Sequence, residues 1–217
     1  MASRLVMDSL AQLAPTLGGI ASAPDLHEEE RATDRLTTMA EQAHASILTH
    51  AAQHPPLYGM GTTLVMAHLL PLPKPRLLVL NVGDSRAYLV RAGTLTQLTR
   101  DHTLIEEYVR DGRLTPTQAA CHPNRHVLTR AMGLAPHMEN DLFFFDLLDG
   151  DLLLLCSDGL TKMLTDERIL QTVRPHQDIP SLATQALIHT ALDAGGLDNV
   201  TVVACTITEI PDQANIH

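Results

Sequence analysis

The spacing of apolar positions predicts helices at the start of the chain. Residues 2–14 and 28–53 place apolar side chains at helical intervals. Three acidic residues in the first turn of the second segment favour a helix N-terminus there. Pro15 ends the first segment, and Pro55 with Pro56 ends the second. We therefore expect two amphipathic helices before the rest of the fold.

The middle of the chain changes to short apolar runs that are typical of strands. These runs are GMGTTLVMAHLL, RLLVLNVG, SRAYLV, TLTQLT, NDLFFFDL, DLLLLCS and NVTVVACTIT. Residues 91–93 predict a hairpin turn, and Asp149 and Gly150 join two later strands. Because short links do not allow parallel crossovers, the strands are expected to pair antiparallel.

Three further helices are predicted, at residues 104–110, 166–173 and 179–192. Residues 113–130 are polar, rich in turn formers and without periodicity, which is typical of a functional excursion from a compact domain. The order of elements predicts an α+β fold with antiparallel sheets covered by helices. The length favours one domain over residues 1–210, and residues 211–217 form a polar tail.

The composition excludes several classes of partner. A formal net charge of −10 argues against nonspecific binding to nucleic acid or to an anionic membrane surface. No apolar run reaches membrane-spanning length, and the N-terminus does not resemble a signal peptide. Three cysteines, an odd number without metal-type spacing, indicate reduced thiols in the cytoplasm. Cys156 and Cys205 lie inside apolar runs, which predicts buried thiols.

Aspartates at the ends of apolar strands are the candidate chemistry. The run that ends in Asp158 and Gly159 is either an ordinary Asp–Gly turn or part of a metal site. Asp101 and Asp198 stand at comparable places, and oxygen-rich acidic sites suit Mg²⁺ or Mn²⁺. For Asp84, a turn role is favoured over metal binding. The sequence alone does not bring these distant carboxylates together.

Several motifs, in order, resemble the metal-dependent protein phosphatases, also called type 2C Ser/Thr phosphatases, and most of all their bacterial branch. The motifs are LNVGDSRAYLVRAGTLTQLTRDHT, HPNRHVLTRAMG, DLLLLCSDGLTKMLTDERI and AGGLDNVTVVA, within about residues 59–206. The resemblance implies a four-layer α-β-β-α sandwich, in which helix pairs flank two mainly antiparallel sheets. It also implies hydrolysis of phosphoserine and phosphothreonine by a metal-activated water, with no side-chain nucleophile.

The resemblance also implies roles for individual residues. Asp158 and Asp198 resemble the later ligands of a centre of two Mn²⁺ or Mg²⁺ ions. Asp101 resembles a ligand, shared with Asp158, of a weaker third metal in bacterial members. Gly159 and Asn199 support these ligands, and residues 104–130 resemble the flap that tunes substrate preference. The implied partners are proteins phosphorylated on Ser or Thr and a cognate Ser/Thr kinase.

The family's opening motifs do not occur in this chain. They are an Arg-containing Asn-Glu-Asp strand and an Asp-Gly-Met-Gly-Gly-His turn, which supply the first metal ligands and a phosphate-contacting Arg. We therefore expect an N-terminally truncated fold with an incomplete metal site and poor hydrolysis of phosphopeptides by the chain as given. Two functions stay open, a Ser/Thr phosphatase and a non-catalytic pseudophosphatase or fragment that binds phosphoproteins or a partner kinase.

Overall fold

The computed structural model describes residues 1–13, 27–70 and 74–208 of the chain. The predicted polar tail, residues 211–217, lies outside the described residues. The helices are α1 Ala2–Leu13, α2 Glu28–Gln53, α3 Leu104–Arg110, α4 Pro116–Ala120, α5 Asp158–Thr161, α6 Asp166–Val173 and α7 Pro180–Asp193. The strands are β1 Leu64–Leu70, β2 Arg76–Val82, β3 Arg86–Arg91, β4 Thr94–Gln97, β5 Asp141–Asp146, β6 Leu152–Cys156 and β7 Val202–Thr206.

One sheet has four antiparallel strands in the order β4-β3-β6-β7. In its register, Leu154 of β6 lies between Tyr88 of β3 and Ala204 of β7. The predicted hairpin between β3 and β4 is confirmed. Ala92 and Gly93 both have positive φ angles, 48° and 75°. A two-residue hairpin turn needs such angles to match the twist of its strands.

The other sheet has three strands in the order β1-β2-β5. The five residues that separate β1 from β2 are too few for a parallel crossover, so this pair is antiparallel. Consecutive strands do not always share a sheet, since β5 and β6 belong to different ones. The predicted α+β class with two antiparallel sheets is confirmed.

The described residues divide into two compact units. Unit 1 comprises the described residues of Met1–His68 together with Leu80–Asp84 and Arg100–Leu142. Unit 2 comprises the described residues of Leu69–Val79, Ser85–Thr99 and those from Phe143 onward. The single domain over residues 1–210 stays a prediction.

In unit 1, α1 packs against the buried stripe of α2. Leu36, Met39 and Ile47 belong to this stripe, at the helical spacing that the sequence predicts. His44 on the same helix is buried. Its Nδ1 accepts a hydrogen bond from the Gly133 N–H and its Nε2 donates to the Ala135 carbonyl, both at 3.0 Å. Satisfying both ring nitrogens allows a polar side chain inside this core.

In unit 2, helices α6 and α7 cover the four-stranded sheet, as predicted for the two later helices. One cluster of buried residues in this unit contains Tyr88, Val90, Leu152, Leu154, Cys156, Leu160, Leu164, Ile169, Val173, Ala183, Leu187 and Ala191. The Tyr88 hydroxyl donates to Asp166 at 3.0 Å and accepts from Arg86 at 2.8 Å. Burial raises the pKa of Tyr88, so this hydroxyl stays a donor.

Three details differ from the sequence-based expectations. Asp158 begins the short helix α5 instead of standing in an isolated turn. Helix α4 lies inside the excursion, where a capping box between Thr115 and Gln118 starts it. The prediction of a buried Cys205 is wrong, since Cys205 is exposed while Cys156 is buried. Side chains along β7 alternate between half-buried and exposed, and Cys205 lies on the exposed face.

Candidate functional site

The end of β6 positions the first predicted ligand, Asp158. The backbone of Ser157 is extended, and α5 begins at the next residue. Asp158 therefore leaves a buried strand and occupies the first turn of a helix, where a carboxylate is favoured. Its side chain is part-exposed and able to meet a ligand.

Ser157 attaches the loop that carries Asp198 to the end of β6. The Ser157 N–H donates to the Thr201 carbonyl, and the Thr201 N–H donates back to Ser157 Oγ, both at 3.1 Å. The same Oγ donates to the Asn199 carbonyl at 3.3 Å. The sequence-based site did not include Ser157. A small hydroxyl residue between a buried strand and a helix start is the signal that could have found it.

Gly159 allows this loop to approach α5 closely. A Cβ at position 159 would overlap the carbonyl oxygen of Asn199, which belongs to the fixed backbone of the loop. The φ angle of Gly159 is not positive, so it is the missing side-chain volume that matters here. Both predicted supporting residues, Gly159 and Asn199, therefore lie at the contact that brings the two segments together.

Asp198 is oriented by its own loop. Its Oδ1 accepts the Asn199 N–H at 2.8 Å, and its Oδ2 accepts from Lys162 Nζ at 3.2 Å. The Asn199 N–H and then Lys162 hold the pKa of Asp198 below its usual value. The carboxylate is therefore charged at neutral pH.

Lys162 is the residue on which the two predicted ligands meet. Its Nζ lies 2.5 Å from Asp158 Oδ2 and 3.2 Å from Asp198 Oδ2. Burial alone would lower the pKa of Lys162, but the hydrogen bonds to the two carboxylates outweigh it and raise this pKa. The structure thus brings Asp158 and Asp198 together. The sequence-based site did not include Lys162, although its place four residues after Asp158 was a usable signal.

Asp101 belongs to unit 1, in the loop between β4 and α3. Hydrogen bonds fix the backbone on both sides of it. Asn81 Nδ2 donates to the Arg100 carbonyl at 2.9 Å and to the Gly83 carbonyl at 3.2 Å. The His102 N–H donates to the Gly83 carbonyl, and the Gly83 N–H donates to His102 Nδ1. The convergence of Asp101 with the other two aspartates stays a prediction.

A charged network lies beside this loop. Arg130 donates to Asp141 at 2.8 Å, and His102 Nε2 lies 3.4 Å from the same carboxylate. Because Gly83 donates to Nδ1 of His102, the ring proton is on Nε2 and faces Asp141. Burial lowers the pKa of His102 more than the carboxylate raises it. A neutral imidazole thus joins the Asp101 loop to the start of β5.

The predicted flap, residues 104–130, has defined local structure in unit 1. Thr103 caps α3 through the Glu106 N–H, and the Leu104 N–H donates to the Val127 carbonyl at 2.9 Å. The Arg113 guanidinium stacks over the Tyr108 ring at 3.8 Å. These contacts join both ends of the excursion and leave α4 and Cys121 on an exposed surface.

The donor chemistry at Asp158 and Asp198 fits a hard cation. Carboxylate oxygens are the ligands that Mg²⁺ and Mn²⁺ prefer, and both side chains already direct an oxygen at one cationic group, Lys162. Across residues 1–13, 27–70 and 74–208, no three His, Cys, Asp or Glu side chains are grouped so as to hold a metal ion. Asp158 and Asp198 therefore supply part of the coordination that Mg²⁺ or Mn²⁺ needs.

Comparison with known proteins identifies the family. The chain matches the family Protein phosphatase 2C over residues 14–110. Its fold matches the crystal structure of the Mycobacterium tuberculosis serine/threonine phosphatase PstP/Ppp with a TM-score of 0.80 and 36% identity, over 95% of this chain and 81% of that chain. The chain belongs to the protein phosphatase 2C family.

Two further similarities bear on this phosphatase 2C chain. It is 39% identical over 195 residues to the serine/threonine protein phosphatase PstP of M. tuberculosis, which covers 88% of this chain. The chain spans 36% of the length of that relative. It also matches the catalytic domain of PstP in complex with two manganese ions, at 35% identity and a TM-score of 0.76, over 96% of this chain and 81% of that one.

Proposed function

We propose that this chain is the phosphatase part of a metal-dependent protein serine/threonine phosphatase. The observation that carries the proposal is the meeting of Asp158 and Asp198 on one cationic group, at the end of a buried strand, in a chain of the phosphatase 2C family. Relatives that share this fold are named serine/threonine phosphatases.

The residues around the pair have separate roles in this proposal. Asp158 and Asp198 hold Mn²⁺ or Mg²⁺, while Ser157, Gly159 and Asn199 fix the loop that presents Asp198. When bound, the metal activates water as the nucleophile and neutralises phosphoryl charge. We assign a dinuclear centre to this site, and Asp101 to a weaker third ion. No side chain acts as the nucleophile.

The substrates we propose are proteins phosphorylated on serine or threonine, and the partner is a cognate Ser/Thr kinase. The flap, residues 104–130, would select among substrates through its exposed surface. Over residues 1–13, 27–70 and 74–208, every helix is too short or too polar to cross a lipid bilayer. A cytoplasmic location is part of the proposal, and the odd number of cysteines without metal-type spacing supports it.

One observation favours the second candidate, a non-catalytic pseudophosphatase that binds phosphoproteins or a partner kinase. Lys162 already pairs with both carboxylates, so this chain can keep the site assembled without a metal. Such a protein would bind a phosphopeptide and release no phosphate.

The test is a phosphate-release assay on phosphoserine and phosphothreonine peptides with millimolar Mn²⁺. We expect low turnover by the 217-residue chain, and a further fall of about 100-fold or more in the variants Asp158→Asn and Asp198→Asn. Asp149→Asn, which changes an exposed aspartate of unit 2, is the matched control.

Two outcomes would count against the phosphatase. Turnover that Asp158→Asn leaves unchanged would mean that the site lies elsewhere. Binding of phosphopeptide without any phosphate release, with or without Mn²⁺, would support the pseudophosphatase instead.

A further inference from the structure

The position of Lys162 carries an inference about how the metal site is controlled. Its Nζ contacts one oxygen of Asp158 and one oxygen of Asp198, at 2.5 Å and 3.2 Å. Its side chain is 26% exposed, which is low for lysine, a residue that normally extends into solvent. This ammonium therefore stays between the two carboxylates.

The local fold explains why Lys162 reaches both carboxylates. Lys162 follows α5 directly and lies four residues after Asp158, so the two side chains share one face of the helical turn. Ser157 and Gly159 bring the Asp198 loop against the start of the same turn. A single flexible ammonium can then bridge carboxylates that are 40 residues apart in sequence.

A divalent ion and this ammonium need the same oxygens. Mg²⁺ binds carboxylate oxygens at about 2.1 Å, a shorter distance than the Lys162 ammonium keeps from either oxygen. A divalent cation held between the Asp158 and Asp198 carboxylates would also repel the Lys162 ammonium at short range. Metal binding at Asp158 and Asp198 therefore requires Lys162 to move away.

We propose that Lys162 is a built-in counter-ion that holds Asp158 and Asp198 together without metal and competes with the metal for them. This inference rests on the proposed function, because it takes the two aspartates to be metal ligands. Lys162 thereby lowers the affinity of the site for divalent ions and stabilises the metal-free chain. It is a positioning residue and takes no part in the chemical step.

The test measures Mn²⁺ binding by isothermal titration calorimetry on the full 217-residue chain. Lys162→Met keeps the length of the side chain and removes the charge, and we expect it to bind Mn²⁺ on the order of tenfold more tightly. Lys162→Arg keeps the charge and should bind like the unmodified chain. Lys74→Met makes the same change at an exposed lysine of unit 2 and controls for net charge.

A second measurement gives a readout that does not depend on metal. In EDTA, Lys162→Met should melt at a lower temperature than the unmodified chain, because two carboxylates then face each other without a cation. On addition of Mn²⁺, its melting temperature should rise by more than that of the unmodified chain. A side chain that merely fills space would produce neither change.

The outcomes separate this inference from the proposed function. If Lys162→Met binds Mn²⁺ as tightly as the unmodified chain or more weakly, Lys162 does not compete with the metal. The phosphate-release assay tests the proposed function separately. Binding of Mn²⁺ by Lys162→Met alone would be the strongest support. No Mn²⁺ binding by any variant at millimolar concentration would overturn the competition and also remove the metal site from the proposed function.

Discussion

Arg91 binds both carboxylate oxygens of Asp151, a side chain that is only 1% exposed. Arg91 Nε donates to Oδ1 at 2.8 Å, and Arg91 Nη2 donates to Oδ2 at 2.6 Å. The Leu148 N–H donates to the same Oδ2 at 2.8 Å. The pair thus joins the end of β3 to the turn before β6, the strand that leads to Asp158.

We predict that Asp151→Asn lowers the free energy of unfolding by about 2–3 kcal/mol. Breaking one side of a buried pair leaves a charge without its partner, and the partial exposure of Arg91 keeps the loss below that of a fully buried pair. Urea unfolding measures the change. The exposed Asp149→Asn serves as the control, and equal stability of the two variants would contradict the prediction.

A second prediction concerns Gly159. Gly159→Ala would force the Asn199 carbonyl away, move the Asp198 loop and weaken Mn²⁺ binding by roughly 10–100-fold. Gly112→Ala is the control, since that position is open and has only the cost of its positive φ, about 1 kcal/mol. Calorimetric titration of both variants with Mn²⁺ checks this, and unchanged affinity in Gly159→Ala would show that the loop tolerates the extra methyl group.

Asn81 provides a third test, on the loop that carries Asp101. Asn81 is 0% exposed, and its amide nitrogen donates to two carbonyl groups, those of Gly83 and Arg100. In Asn81→Asp a carboxylate oxygen would face both carbonyls, so we expect a loss of about 3 kcal/mol or more. Chemical denaturation measures this loss of stability, and Asn124→Asp, at an exposed position in unit 1, is the control. Similar costs for the two variants would contradict a stabilising role for these two hydrogen bonds.

The fourth prediction is a pH dependence in unit 1. Burial, and then the charge of Arg35, lower the pKa of His68, while Glu28 acts in the opposite direction. The unfolded chain therefore takes up a proton at His68 at a higher pH than the folded chain does. This contribution to stability is fully present above the unfolded pKa of about 6.5 and is lost as pH falls through the folded value.

Two measurements check the sign of this dependence. An NMR titration should place the midpoint of the His68 ring below about 6.5. His68→Gln should flatten the fall in stability between neutral and mildly acidic pH, whereas His189→Gln removes an exposed imidazole as the control. A steeper fall in His68→Gln would reverse the assigned direction.

Local pattern was enough to predict most elements of this chain. The helical spacing of Leu36, Met39 and Ile47 predicts α2, and the residues at 91–93 predict the β3–β4 hairpin. These features depend on neighbours within a few positions, so a single sequence contains their cause. The family resemblance likewise came from several motifs in order along the chain, one of which contains Asp158 and Gly159.

Tertiary structure alone decided which distant groups meet. Strands β5 and β6 are separated by one short turn but belong to different sheets, and Cys205 lies on a face of β7 that packing leaves exposed. Lys162 reaches Asp198 only because Ser157 and Gly159 bring two separate segments into contact. The spacing of apolar residues along a helix or strand determines which of its faces is buried. Pairing and register between strands depend on long-range packing, which no local pattern contains.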